Sequence, residues 1–358
     1  MKNKLLLSSA LVGSLFVTGA VNAQTTVTGE INLSYKSIGE KQTPAEGKSG
    51  LGRETQLNIQ NKGTLSNGLG YADGFSLEFD GINGADQAAG DTQRLANENF
   101  YIDFISGNTT VSIGGDHVQN MSGTVIPRAA QNVKTSLVQA GSLSTDTTYL
   151  ARTTFCPGGC FGSSSAMGIS VIQAIPAIGN LSLQYLPYAG NKQAGNDAIT
   201  NNSSQDAYEV MFQGDLGVKG LNARLGYAIA PKNASSPNAF LRDQVGQAYG
   251  VAYNLGNATV GVERKKHEAG NAASDSTMTS VGASYNLTKE LSVSTQMDVV
   301  KGSVAGVTFA ENEKIRSYQV GYNLGAVTLS ASYTDANNAA GVATDDSQIF
   351  LVRAGAKF

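Results

Sequence analysis

Two neighbouring stretches near the end of the chain alternate apolar and polar residues with a period of two. One parity carries Tyr318, Val320 and Tyr322 in the first stretch and Val327, Leu329, Ala331 and Tyr333 in the second. The other parity carries serine, threonine, glutamine and glycine. Because successive side chains of a strand point to opposite faces of a sheet, each stretch predicts a strand with one apolar and one polar face. Asn323–Gly325 predicts the tight turn of an antiparallel hairpin between them.

The same alternation recurs along most of the chain. Its apolar stripes include Val27, Ile31, Leu33 and Tyr35; Phe75 and Leu77; Leu225, Tyr227 and Ile229; Leu291, Val293, Met297 and Val299; and Phe350, Val352 and Phe358. Three related turns, Tyr253–Gly256, Tyr285–Thr288 and Tyr322–Gly325, are separated by about the length of two strands plus a loop. The repeating unit is therefore a hairpin, and we expect the tyrosine of each turn to lie at the same depth in a membrane.

The alternation predicts about sixteen strands, joined by short turns at one end and long polar loops at the other. A sheet of this size has two unpaired edges unless it closes on itself. Closure in a lipid bilayer also pairs every backbone donor and acceptor between strands. The predicted fold class is therefore all-β, a transmembrane antiparallel β-barrel whose lumen is wide enough to hold water.

Composition supports a protein with a polar inside and an apolar outside. Only 41% of the 358 residues are hydrophobic, and the mean hydropathy is -0.14. A soluble sandwich of this length would need bulky aliphatic side chains on its inner faces, whereas the second parity is rich in hydroxyls, amides, glycine and acids. A net charge of -3, without a basic patch interleaved with aromatic residues, argues against nucleic acid as a partner.

The first 23 residues predict a signal peptide. Lys2 and Lys4 precede the apolar run Leu5–Val17, and Val21–Ala23 provides a cleavage site of small residues. No later segment approaches the roughly 18 consecutive apolar residues of a transmembrane helix. We therefore divide the chain into a signal peptide at residues 1–23 and a β-barrel at residues 24–358.

The alternation fails between His117 and Ser165, a segment too long for an ordinary connection. We interpret residues 117–165 as one large functional loop. Cys156 and Cys160 bracket a Pro-Gly-Gly turn within it. In an oxidising compartment this spacing favours a small disulfide that stiffens the tip of the loop. A redox role and a metal site are the alternatives, but export argues against the first and the second lacks a nearby histidine.

Several features together resemble the Gram-negative general porins. They are the signal peptide, the opening T-V-T-G-E-I-N-L-S-Y at Thr26–Tyr35, the terminal strand ending at Phe358, and M-G-I-S-V-I-Q-A-I-P-A-I-G-N-L-S-L-Q-Y at Met167–Tyr185. The last stretch is similar to the sixth and seventh strands of β-proteobacterial trimeric porins. The resemblance covers essentially all of the mature chain, and its specificity comes from the order and spacing of these features.

This resemblance implies a homotrimer of sixteen-stranded barrels in the bacterial outer membrane, in contact with its lipid. It also implies that the long third loop, here residues 117–165, folds into the lumen and narrows it. Ions and small hydrophilic solutes would then diffuse passively through each barrel, without a cofactor.

Charged residues on the polar parity predict the lining of the pore. On the wall, the acidic residues are Glu30, Glu54, Glu78, Asp80, Asp103, Asp116, Glu209 and Asp298, and the basic residues are Arg224, Lys265, Arg353 and Lys357; the loop carries Arg128, Lys134 and Arg152 against Asp146. In the resembled family the loop is usually acidic and the facing wall carries an arginine cluster. We hypothesise that here the signs are reversed, so that the transverse field has the opposite sense. The alternative is scattered, solvated charges.

Enzymatic interpretations find little support in the sequence. Neither of the two histidines, His117 and His267, stands in a metal-ligand or nucleophile spacing. Ser163–Ser165 lacks the Gly-x-Ser-x-Gly geometry. We therefore predict no catalytic, cofactor-binding or metal-ligating residue. The alternatives to a passive channel are a barrel enzyme and an outer-membrane barrel with a specific binding or adhesin role, and ligand-free conductance in a bilayer distinguishes them.

Overall fold

The computed structural model describes residues 24–39, 50–82, 96–115, 123–129, 167–189, 205–232, 243–268, 275–304, 307–308, 310–338 and 346–358. The predicted signal peptide and most of the predicted loop 117–165 lie outside these residues, so the division of the chain at residue 23 stays a prediction. Within the described ranges, no helix has the length and apolar character needed to cross a membrane.

The described residues form seventeen strands. They are β1 (Gln24–Gly39), β2 (Gly50–Thr64), β3 (Gly70–Ile82), β4 (Ala96–Ser106), β5 (Thr109–Gly115), β6 (Met167–Ile175), β7 (Gly179–Ala189), β8 (Gln205–Gly214), β9 (Leu221–Ala230), β10 (Gln244–Asn254), β11 (Ala258–Glu268), β12 (Ser276–Asn286), β13 (Leu291–Val304), β14 (Val307–Thr308), β15 (Glu313–Asn323), β16 (Val327–Asn337) and β17 (Ser347–Lys357). The two-residue β14 pairs antiparallel with the last two residues of β13 and is not a strand of the barrel wall.

The remaining sixteen strands form one closed antiparallel barrel. Each pairs with the strand before it and the strand after it, and β1 pairs with both β2 and β17. At the seam, the Gly29 amide donates to the Phe358 carbonyl at 2.8 Å, and the Phe358 amide donates to the Gly29 carbonyl at 3.0 Å. The predicted fold class is confirmed, and closure leaves no unpaired edge within the described sheet.

Short turns occupy the end of the barrel that also holds Gln24 and Phe358. In two of them an asparagine side chain closes the turn: Asn254 Oδ1 accepts from the Gly256 amide at 2.8 Å, and Asn323 Oδ1 accepts from the Gly325 amide at 2.9 Å. Both glycines have a positive φ, of 87° and 85°, which explains why the turns need glycine there. These are the Asn-Leu-Gly turns identified in the sequence.

The apolar parity faces outward, as the alternation predicts. On β15, Tyr318 and Tyr322 are 52% and 41% exposed, whereas Ser317 on the opposite parity is fully buried. Tyr253 and Tyr285 are also exposed, beside their own short turns. Because the exposed side chains of these strands are apolar and aromatic, the outer face suits hydrocarbon better than water.

The inward parity is not polar throughout, which the sequence did not predict. Near the long-loop ends of β13, β15 and β17, it carries Val300, Ile315 and Ile349, each at most 1% exposed. Ala228, Ala230 and Ala248 form part of a second buried cluster with Leu186 and Ala207. The inner wall therefore contains small apolar clusters toward the long loops and is mainly polar toward the short turns.

Candidate functional site

Residues 123–129 lie against the inner wall of the barrel, across β10, β11 and β12. Three inward-facing glycines make room for this inner segment. A β-carbon on Gly250 would lie 2.7 Å from Val125 Cγ2, one on Gly261 would lie 3.0 Å from Pro127 Cδ, and one on Gly282 would overlap the Ile126 Cγ2 methyl group. The absence of side chains at these glycines therefore allows the segment to approach the backbone of the wall closely.

The apolar side chains of the inner segment are buried in this contact. Val125 is 5% exposed, Ile126 is 4% exposed and Ala129 is 1% exposed. Their burial against the glycine-lined wall removes apolar surface from the water of the lumen, which stabilises the contact. The segment is thus held by packing as well as by polar bonds.

Polar bonds fix both ends of the inner segment to the wall. The Lys265 ammonium donates to the Gly123 carbonyl at 2.8 Å, and the Thr124 hydroxyl donates to Glu263 Oε2 at 2.6 Å. At the other end, the Ala129 amide donates to Ser294 Oγ at 2.8 Å. The wall residues belong to β11 and β13, so the segment is anchored to one arc of the barrel.

Glu263 is the centre of a buried group of charges beneath the inner segment. Its carboxylate oxygens lie 3.8 Å from Arg224 Nη1 and 3.8 Å from Lys265 Nζ. The three side chains are only 1–4% exposed. A buried charge is stable only when it is paired and hydrogen-bonded, and Glu263 contributes to both conditions because it lies near two cations and accepts the Thr124 hydroxyl.

A cavity of about 890 Å³ extends from the inner segment toward the short turns. Its wall includes inward-facing residues of β1, β11, β12, β13, β15, β16 and β17, among them many serines and asparagines. Its charged lining residues are Glu30, Arg128, Lys289, Glu290, Arg353 and Lys357. The described lining therefore carries four bases and two acids, and it can hold water and hydrated ions.

Four of the residues predicted to line the pore meet in this cavity. Arg128 lies on the inner segment, Glu30 lies on β1, and Arg353 and Lys357 lie on the neighbouring strand β17. The Arg353 Nε group donates to Asn32 Oδ1 at 3.0 Å, and Asn32 Nδ2 donates to Glu30 Oε1 at 3.0 Å. This chain of hydrogen bonds orients both charged groups on β17 and β1.

The other predicted lining residues occupy different places. Arg224 lies beside Glu263, and it does not line the cavity. Glu78 on β3 accepts from Asn99 Nδ2 at 3.4 Å, and Asp103 is half-buried on β4; neither lines the cavity. Asp80 lies within β3, but its side chain is outside the described part of the chain.

Several predictions fall on residues that the structure does not describe. These residues are Asp116, Lys134 and Arg152 of the predicted lining and the cysteines Cys156 and Cys160. The disulfide and the reversed sign of the transverse field therefore stay predictions. Among the described residues, no group of three or more histidine, cysteine, aspartate or glutamate side chains is arranged to hold a metal ion.

Sequence reasoning missed Glu263 and the three wall glycines. Glu263 lies in the charged run Glu263–Glu268, where the alternation between faces is hard to recognise. A signal for the glycines was present, because Gly250, Gly261 and Gly282 all fall on the inward parity of successive strands. Glycine weakens a strand, so its repeated use on one face indicates a close approach of another segment.

Comparisons with known proteins agree with this architecture. A family model described as Gram-negative porin matches residues 8–315. Two engineered variants of the Rh. blastica porin are similar in structure, with TM-scores of 0.60 and 0.59 at 13% and 14% sequence identity. Each alignment covers 94% of this chain and 100% of the other. At such low identity these two matches show the fold alone. No curated protein sequence matches.

The family match covers most of the chain, and the closed barrel with its polar cavity agrees with it. A protein of this family acts as a passive diffusion channel and not as an enzyme, and it resides in the outer membrane. The chain belongs to the Gram-negative porin family.

Proposed function

We propose that this channel is a homotrimer of the β-proteobacterial porin type, in which a loop anchored by the inner segment narrows each pore. The observation that supports this proposal is the contact of residues 123–129 with the glycines and charges of β10–β12 inside the barrel. The resemblance of Met167–Tyr185 to trimeric β-proteobacterial porins supports the subunit number and the type.

Conductance of the purified protein in a planar lipid bilayer tests this proposal. Without any ligand, we expect stepwise increases in current, because the water-filled lumen conducts ions directly. A trimer contains three parallel pores, so we expect each inserted unit to close in three equal steps. Insertion units that close in a single step would contradict the trimer, and stable insertion without conductance would contradict an open pore.

The charges of the cavity set a preference for anions over cations in this proposal. Four bases line the described cavity against two acids, which raises the local concentration of anions. In water, one charge changes the energy of a passing ion at about 7 Å by about 0.6 kcal/mol, or roughly a threefold change in local concentration. The inner-segment base Arg128 and the wall base Arg353 both contribute to this preference.

Replacing these two arginines tests the origin of the selectivity. In Arg128→Gln and in Arg353→Gln, we expect the anion-to-cation permeability ratio to fall about twofold to threefold, because one base is removed from the cavity. The ratio comes from the reversal potential across a salt gradient. Lys219→Gln, on an exposed short turn outside the cavity lining, serves as the control. An unchanged ratio in both arginine variants would remove these residues from the selectivity mechanism.

A further inference from the structure

One tyrosine of the barrel wall faces the lumen. Among the strand side chains that the structure describes, Tyr101 of β4 is the only tyrosine or phenylalanine on the inward parity. It pairs with Gly74 of β3 and with Gly114 of β5, whereas the next residue, Ile102, is 50% exposed on the outward face. The other tyrosines of these strands belong to the apolar outer face, so Tyr101 lies in a different environment, the water of the lumen.

Two glycines allow the Tyr101 ring to lie against the wall. A β-carbon on Gly74 would lie 3.1 Å from Tyr101 Cε1, and one on Gly114 would lie 2.9 Å from Tyr101 Cβ. A side-chain hydrogen bond joins Tyr101 to Gln60 on β2, so the ring crosses β3 toward β2. One side of the ring is therefore turned to the wall and the other toward the lumen. The half-buried state of Tyr101 agrees with this orientation.

A β-bulge holds an amide and a carboxylate on the same inner face. The register between β3 and β4 shifts between Gly74 and Ser76, and Asn99 lies at this irregularity with a φ of 52°. Its side-chain amide donates to Ser76 Oγ at 2.9 Å and to Glu78 Oε1 at 3.4 Å. Bulges often position a side chain next to a functional site. Asn99 is two residues from Tyr101 on β4, so the bulge fixes polar groups beside the ring.

Polar groups on both sides of the ring form a row along the inner wall. Asp103 follows Tyr101 by two residues on β4, about 7 Å along the strand. Asp103 pairs with Ala72 of β3, and Glu78 is six residues further on that strand, about 20 Å away. We name these residues the tyrosine row: Gln60, Glu78, Asn99, Tyr101 and Asp103. None of them lines the cavity beside the inner segment, so the row faces a different part of the lumen.

We propose that the tyrosine row binds the pyranose rings of short oligosaccharides as they pass through the lumen. The face of an aromatic ring carries partial negative charge, so it attracts the weakly positive C–H groups on the flat side of a sugar ring. Sugar hydroxyls both donate and accept hydrogen bonds, and the carboxylates and amides of the row supply matching acceptors and donors. Ligand sites commonly combine an aromatic surface with a few such polar groups.

The composition and the length of the row favour a sugar over a small organic cation. A cation would use the ring and the carboxylates of Glu78 and Asp103, but it would leave the amides of Gln60 and Asn99 without a role. A row about 20 Å long also allows several sugar rings to be contacted in series. This site acts on uncharged solutes, and it does not depend on the trimer or on the anion preference proposed above.

Block of the ion current by added sugar tests this proposal in the wild-type channel. The probes are maltotriose and cellotriose, added in high salt to the intact porin in a planar bilayer. Because each bound trisaccharide obstructs ion flow, we expect the conductance to fall with a saturating dependence on the concentration of at least one probe. Polyethylene glycol of the same hydrodynamic size is the control, and it is expected to lower the conductance in proportion to its concentration. A proportional, unsaturated decrease for both sugars would overturn the proposal.

Substitution of Tyr101 tests whether its ring is the binding surface. In Tyr101→Ala we expect the half-blocking sugar concentration to rise about tenfold, because the stacking surface is lost. Tyr101→Phe keeps the ring and is expected to stay within about threefold of wild type. Tyr318→Ala removes a tyrosine from the lipid-facing side of β15 and serves as the matched control. Equal block in Tyr101→Ala and Tyr318→Ala would contradict the assignment of the site to Tyr101.

An organic cation tests the other class of ligand. Choline is attracted to aromatic faces and carboxylates but has no sugar ring. We expect choline to leave the block by the trisaccharide unchanged. Displacement of the sugar by choline, lost in Tyr101→Ala, would assign the site to organic cations and overturn the proposal. If neither sugar blocks the current while the stepwise conductance persists, the saccharide site is refuted and the channel itself is not.

Discussion

Replacing Gly282 with leucine is expected to lower the conductance of each pore and to increase its current noise. A β-carbon at this position already overlaps the Ile126 methyl group, and a leucine needs the whole space that Ile126 occupies. The bonds of Gly123 and Thr124 to β11 keep that end of the inner segment on the wall. The rest of the segment must therefore move into the cavity, where it obstructs the passage of ions.

Two measurements check this prediction. Single-channel recording gives the conductance, and chemical denaturation in detergent gives the free energy of unfolding, which we expect to fall by about 1–3 kcal/mol because the contact is overpacked. Ala283→Leu places the same side chain at the next position of β12, where it points toward lipid, and should leave both quantities near wild type. Equal conductance in Gly282→Leu and Ala283→Leu would show that the inner segment does not control the width of the pore.

The second large effect is expected from Glu263→Gln. The substitution keeps an acceptor for the Thr124 hydroxyl but removes a negative charge that lies 3.8 Å from Arg224 Nη1 and 3.8 Å from Lys265 Nζ. Breaking a buried ion pair by removing one partner costs about 3–5 kcal/mol, because the other charge is left uncompensated. We therefore expect the free energy of unfolding to fall by about 3 kcal/mol, measured by denaturant titration of the detergent-solubilised barrel.

A matched control and a second-site change make this prediction specific. Glu290→Gln removes an acid from an exposed short turn and is expected to change the unfolding free energy by less than about 0.5 kcal/mol. Adding Lys265→Met to Glu263→Gln removes one of the two cations that lose this ion-pair partner, so part of the lost stability should return. If Glu263→Gln costs no more than Glu290→Gln, the buried charges do not stabilise the barrel.

The barrel itself could be predicted because its signal is local. The alternation of Tyr318, Val320 and Tyr322 with polar residues follows from the two faces of one strand and needs no knowledge of distant residues. The Asn-Leu-Gly turns are equally local, since the asparagine side chain and the positive φ of the glycine act within the turn. Repeated local units of this kind give both the strand number and the closure of the sheet.

The site could be predicted only in part. The alternation of residues gives the face of the sheet to which each side chain points, but it does not give the position of that side chain along the barrel axis. Parity places Glu30 and Arg353 on the inner face, but their meeting with Arg128 depends on the closing register between β1 and β17. The hydrogen bond between Thr124 and Glu263 joins residues 139 positions apart, and no local pattern contains that distance. The same limit applies to the buried Ile315 on the inner face, whose environment comes from neighbouring strands.

The described contacts of the inner segment all lie on one arc of the wall, so different strands anchor the segment and line the rest of the cavity. Strands β10–β13 carry the contacts that hold the segment, whereas β1, β16 and β17 line the same cavity without making any of the contacts described above. Substitutions on the solute-facing arc can alter permeability while leaving the anchor intact. New specificities can therefore arise in this channel by changing a few side chains on β1 and β17, without changing the contacts that hold the inner segment.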